Sequence, residues 1–202
     1  GILSSKNFEK EKYPQWTEIC DDKRSSTALD AVLHGAFMIT MINKCDVVKV
    51  ACESIVIGSM IMVDPNGGCF RQTTFYPFRD VALLGKGIVL KQSAEGPRED
   101  AGKYGELPVI QSAVIYNDEK KEIVVFAVNF SKQKDIPFEL SIQEFKEAEC
   151  IEFRQLYEKE AFAGNTFKNP FRVVPHLLEV DKKQRNFVLP PISWNVIRYR
   201  IK

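Results

Sequence analysis

The spacing of apolar residues changes partway along this 202-residue chain, near residue 87. Before that point it has a helical period. Leu29, Val32, Leu33, Ala36, Phe37 and Thr40 follow the i, i+3, i+4, i+7 rule, which predicts an amphipathic helix over 27–44. Thr27 and Asp30 have the spacing of a capping box. The next stretch, DVVKVACESIVIGSMIMV at 46–63, is an apolar run carrying one carboxylate, Glu53. Runs of this kind suit a strand covered on both faces, as in a parallel sheet, so a buried strand is expected at 46–57. DPNGG at 64–68 is a turn signal. TTFYPFRDVALLGKG at 73–87 predicts a short helix stopping at Gly85 or Gly87.

Beyond residue 87 the period falls to two. GIVLKQ, VIQSAVIYN, KEIVVFAVNF, IPFELS, AECIEFRQLY, NFVLP and ISWNVIRYRI each read as a short strand. NDEKK at 117–121 reads as the hairpin turn between two of them. Strands at this spacing indicate an antiparallel sandwich or jelly roll. The chain therefore divides at 86/87. Residues 1–86 offer one helix, one buried strand and one more helix, which cannot close a core alone. Residues 87–202 read as a whole β-sandwich. The opening, 1–25, is polar and irregular.

Composition narrows the function classes. Hydrophobic residues make up 45% and charged residues 27%, an ordinary globular mixture. The net charge of +1 gives no support to a nucleic-acid or anionic-membrane partner. No apolar run reaches the ~20 residues of a membrane span. Five cysteines at 20, 45, 52, 69 and 150 form no C-x-x-C pair, and the two histidines, His34 and His176, lie apart from any cysteine cluster. No metal site and no cofactor are expected. Several cysteines are expected as small buried hydrophobes, and unpaired thiols suit a reducing compartment.

Candidate chemistry is sparse. GKG at 85–87 lacks the trailing glycine and helix of a phosphate loop and is better read as a helix stop. His34, at the edge of the first helix's apolar face, is read as structural. Trp194 invites a sugar-stacking role, but an indole in a terminal strand is more often a core anchor. No serine or cysteine nucleophile has a nearby histidine partner to nominate. Glu53 alone lies within an apolar run; an ion pair with Lys49, or with a neighbour absent from this chain, is its simplest explanation.

ALDAVLHGAFMITMINKCDVVKVAC, GGCFRQTTFYPF, GKGIVL, SAVIYNDEKKEIVVFAVNF and LPPISWNVIRY occur in this order at 28–52, 67–78, 85–90, 112–130 and 189–199. Together they resemble the C-terminal portion of the intracellular α-L-arabinofuranosidases of glycoside hydrolase family 51. FAVNF with SWNVIR is the most specific combination. The resemblance implies a mainly β fold. A C-terminal antiparallel β-sandwich of jelly-roll type would follow the last helix–strand–helix elements of a (β/α)8 barrel, with strand eight at about 46–57. It implies a retaining enzyme that releases terminal arabinofuranosyl groups from arabinan and arabinoxylan. The acid/base glutamate of such enzymes lies in an NE context after strand four, and the nucleophile in an EWN-like context after strand seven.

Neither motif occurs in this sequence, so no catalytic residue is expected in this chain. The nucleophile would lie a few residues before Gly1, and residues 1–25 resemble the loop after strand seven. The end of strand eight would still face the sugar. Its expected pocket residues are Glu53, Ser54, Ile55 and Gly58. Ile55 and Gly58 stand where the family often has a glutamine and an asparagine that bond the sugar. The implied partners are an arabinose-containing oligosaccharide and further copies of the chain, with no nucleic acid and no membrane, in the cytoplasm. The alternative is a non-catalytic carbohydrate-binding or scaffold β-sandwich module.

Overall fold

The computed structural model describes residues 25–64 and 67–201. A six-stranded antiparallel sheet carries two helices on one face and a two-stranded ribbon on the other. In chain order the elements are α1 (Ala28–Asn43), β1 (Ile61–Val63), β2 (Cys69–Arg71), α2 (Phe75–Leu84), β3 (Ile88–Leu90), β4 (Arg98–Asp100), β5 (Glu106–Pro108), β6 (Ile110–Asn117), β7 (Glu122–Asn129), β8 (Ile136–Glu139), β9 (Glu149–Tyr157), β10 (His176–Leu178), β11 (Asn186–Leu189) and β12 (Ser193–Arg200). The large sheet has the order β10-β9-β12-β7-β6-β3. β8 and β11 form the ribbon, and β4 and β5 form an exposed arm.

All seven segments beyond residue 87 expected as strands are strands, and the architecture is the expected mainly antiparallel one. The pattern missed β1, β2, β4, β5 and β10, three-residue pieces too short to show a period. β7, with all eight residues buried, is the centre of the molecule. Val124, Phe126 and Val128 face the helices, while Ile123, Val125 and Ala127 face the ribbon. The β6–β7 turn pairs Asn117 with Glu122, and Lys121 there adopts a φ of 52°.

α1 begins at the expected cap. Asp30 N–H donates to Thr27 Oγ1 at 3.2 Å, and Thr27 N–H donates to Asp30 Oδ2 at 2.8 Å. Its buried face is not the expected one. Ala28, Ala31, Val32, Gly35, Ala36 and Ile39 are buried, whereas Leu29 and Leu33 are half-buried and Phe37 is 57% exposed. Close approach to the sheet is the reason. A Cβ on Gly35 would lie 2.4 Å from the Trp194 ring, so no side chain fits at that position, and the helix seats on the sheet around it through Ala31, Val32, Ala36 and Ile39. α2 stops at Gly85, as expected. Gly87 then takes a φ of +138° directly against Tyr116 O, where no Cβ fits.

One element departs from expectation. Residues 46–57 form no strand, and Val47, Val50, Ile55 and Ile57 are 57–78% exposed. A strand needs hydrogen-bonded neighbours on at least one edge, and no element among the described residues pairs with this segment. Their one ladder contact among the described residues is an isolated bridge between Ile57 and Ile61. The expected loop at 1–25 lies outside the described residues apart from Ser25.

Candidate functional site

The segment between α1 and β1 carries the expected pocket residues. α1 unwinds at Lys44, and Val47 and Val48 N–H both donate to Lys44 O, at 2.9 and 2.8 Å. At the far end Met60 is 1% exposed and its N–H donates to Val56 O at 2.9 Å. Met60 O accepts from Gln72 N–H at 2.8 Å, and Gln72 O accepts from Phe75 N–H, the first residue of α2, at 3.1 Å. Both ends of the segment are thus held by the helical layer, while its middle lies in solvent.

Glu53 is half-buried against α1. Burial pushes the His34 imidazole below its ordinary value, and the Glu53 charge pulls weakly in the opposite direction. Nε2 of His34 is buried and makes no hydrogen bond among the described residues. The expected Lys49–Glu53 pair does not form; the Lys49 ammonium donates to Cys45 O at 2.9 Å. Ser54 is exposed, Ile55 is 59% exposed, and Gly58, with φ +88°, turns the chain into β1. Of the four candidates, only Glu53 carries a charge, and that charge acts on the His34 imidazole. Cys45, Cys52 and Cys69 are exposed rather than buried, and only Cys150 of the described cysteines behaves as a core residue. Cys45 and Cys52 follow the exposed segment that carries them, and Cys69 lies on the exposed side of a hairpin whose other side buries Met62 and Phe70.

A cluster that the sequence did not single out joins helices to sheet. Asp80 of α2 is 0% exposed. Its Oδ1 accepts from Arg154 Nη1 at 2.6 Å and from Arg79 Nη2 at 2.6 Å, and its Oδ2 accepts from Trp194 Nε1 at 3.1 Å. Trp194 is 1% exposed and stacks on Phe126 at 5.6 Å, a core anchor as expected. The one signal in the sequence was an aspartate on the apolar side of FYPFRDVALL.

FAVNF and SWNVIR prove to be neighbouring strands. β7 and β12 pair Asn129 with Ser193 and Ala127 with Asn195. The buried Asn129 amide donates to Lys134 O, Leu189 O and Pro190 O, and Asn195 Nδ2 donates to Ser193 Oγ at 2.9 Å. These polar residues satisfy buried backbone and fix the corner between sheet and ribbon.

Residues 13–193 match the family model described as the alpha-L-arabinofuranosidase C-terminal domain. The chain belongs to this family. It is 32% identical over 191 residues to the intracellular exo-alpha-(1->5)-L-arabinofuranosidase of Streptomyces lividans, covering 92% of this chain and 28% of that protein. It is 34% identical over 182 residues to the exo-alpha-(1->6)-L-arabinofuranosidase of Bifidobacterium longum, covering 86% and 35%. Among solved structures, a family 51 alpha-L-arabinofuranosidase from Bifidobacterium longum superposes with a TM-score of 0.83 at 26% identity, over 96% of this chain and 37% of that one. The GH51 arabinofuranosidase from Xanthomonas axonopodis pv. citri shares the fold, with a TM-score of 0.75 at 15% identity, over 87% and 36%. The chain spans about a third of the length of the curated relatives it matches. In this arabinofuranosidase C-terminal domain, the family's most specific motifs are strand pairs that build the core.

Proposed function

We propose that the chain is the C-terminal region of a retaining α-L-arabinofuranosidase whose catalytic glutamates lie outside it. The parent releases terminal arabinofuranosyl groups from arabinan and arabinoxylan oligosaccharides, and this chain alone is inert. The observation that carries the reading is the exposed apolar segment 46–57, held at both ends by α1 and α2. A stretch so apolar is kept in water only when its natural cover is elsewhere. Residues 1–86 are then the end of the barrel, with strand eight at 46–57 completed by strands of the parent. Glu53, Ser54, Ile55 and Gly58 lie on its pocket side. The outward Leu29, Leu33 and Phe37 of α1 support the same reading, since they face away from the sheet. The sandwich is a support rather than a reader of substrate.

The parent works in the cytoplasm. Relatives from Streptomyces lividans and Bacillus subtilis are named intracellular, and three exposed unpaired thiols suit a reducing compartment. Exposed Phe162, Phe171 and Leu177 support association into a homo-oligomer. The deciding experiment incubates the chain and the full-length parent with a chromogenic arabinofuranoside. Release of chromophore by the parent alone is expected; turnover by the chain overturns the reading.

A second reading, a carbohydrate-binding module, is favoured by one observation. The ribbon covers only part of the large sheet and leaves an open trough of about 790 Å³ between residues 91–98 and β8, floored by Ile110, Val114 and Phe138 and edged by Gln92, Glu95 and Glu144. Its size is within the ordinary ligand range. Titration calorimetry with arabinan and xylan oligosaccharides tests it, and absence of heat removes it.

A further inference from the structure

The buried charges form a chain that crosses the molecule. From Asp80 the links run to Arg154, whose Nη2 lies 2.5 Å from Glu152 Oε1. Glu152 Oε2 accepts from Arg198 Nη1 at 2.6 Å, and Arg198 Nη2 donates to Glu122 Oε2 at 2.7 Å. α2, β9, β12 and β7 are joined in this order by groups whose side chains are at most 21% exposed. Asp80 is the only member on the helical layer apart from its neighbour Arg79, so among the described residues every charged link from that layer to this set passes through one carboxylate. The same carboxylate accepts from the indole against which Gly35 of α1 packs. Removing one partner from such a buried set leaves an uncompensated charge.

We infer that Asp80 is a positioning residue: held between Arg154 and Trp194, it locks α1 and α2 onto the sheet and thereby fixes both ends of segment 44–60. That segment carries Glu53, Ser54, Ile55 and Gly58, so the assignment of a pocket role to this lock rests on the arabinofuranosidase reading, while the lock itself does not. The sandwich then does more than support the helices. It sets where the pocket-side segment begins at Lys44 and where it ends at Met60, through the Met60–Gln72–Phe75 bonds to α2.

Hydrogen exchange read by nitrogen-15 NMR on the 202-residue chain tests this, in a Trp16→Phe background that leaves one indole resonance. With Asp80→Asn, exchange of the Trp194 Nε1–H and of the α2 and Met60 amides is expected to rise about tenfold or more, with β6 and β7 within about twofold. An equal rise in both layers, or none in α2, overturns the proposal. Trp194→Phe removes one donor and keeps the charge; it is expected to give the same local pattern at smaller amplitude, and a uniform response overturns the lock as well. Asp80→Asn combined with Arg154→Met is expected to recover part of the protection in α2, because the guanidinium facing the lost carboxylate is gone while Glu152 keeps Arg198. No recovery sinks the charge-based account. None of these readouts needs substrate, so their failure leaves the arabinofuranosidase reading standing, and an inactive parent leaves the lock standing.

Discussion

Two stretches of this chain look alike in sequence and end up opposite in structure. VVFAVN in β7 and VVKVACESIVI at 47–57 are both near-continuous apolar runs. β7 is buried along its whole length, paired with β6 on one edge and β12 on the other, and covered on both faces. The second run pairs with no strand among the described residues and lies largely in solvent. An apolar run is therefore a statement about what a segment needs, and a strand forms only where another segment supplies the hydrogen bonds and the cover.

Substitutions should separate the two regions sharply. Phe126→Ala in β7 is expected to cost about 3–5 kcal/mol, because it empties the centre of the helix-facing core beside Trp194. Urea denaturation with an unchanged m-value checks it. Gly35→Ala tests how tightly the helical layer is seated. The new methyl would meet the indole at 2.4 Å, and a loss of about 1–3 kcal/mol is expected by the same measurement. Thr27→Ala removes both bonds of the Thr27 hydroxyl, to Asp30 N–H and to the Asp30 carboxylate, and is expected to cost about 1 kcal/mol, seen as a lower Tm.

His34 connects the two regions. Because burial pushes its imidazole down, the folded chain binds fewer protons than the unfolded one between the two values. Its contribution to stability is whole above about pH 6.5 and is lost as pH falls. The denaturation midpoint should drop on acidification, and His34→Leu should flatten that drop. Glu53→Gln should steepen it, since the carboxylate partly offsets the burial. An unchanged slope in Glu53→Gln would place this side chain away from α1. The smallest effect is expected in the exposed run: Val50→Asp should change stability by no more than about 0.5 kcal/mol in this chain. In the full-length parent the same substitution should be severely destabilising if strand eight is completed there. Equal tolerance in both proteins would break the contrast.

Much of this was legible before any coordinates. The helix at Ala28–Asn43 follows from its period and its Thr27–Asp30 cap, and seven strands follow from alternation. FAVNF and SWNVIR pointed to the family, although their reason, two paired strands with Asn129 and Ser193 side by side, needed the register. The buried face of α1 was misjudged by about one position. Hydrophobicity favours Leu29, Leu33 and Phe37, but the Trp194 ring leaves no room for a Cβ at position 35, so the Gly35 side of the helix faces the sheet. Glu53 stood out because it interrupts an apolar run, yet its neighbour is His34, nineteen positions earlier, rather than Lys49.

Local patterning settles the kinds of element, their order and the antiparallel class, because helix and strand periods are properties of neighbouring residues. It also identifies the family, since the motifs are contiguous. Which face of α1 is buried, whether residues 46–57 pair, and how Asp80 comes to lie between Arg154 and Trp194 are decided only in the folded chain. Asp80 meets residues 74 and 114 positions away, and no local period encodes a contact at that range. Burial and pairing depend on what the rest of the molecule brings alongside.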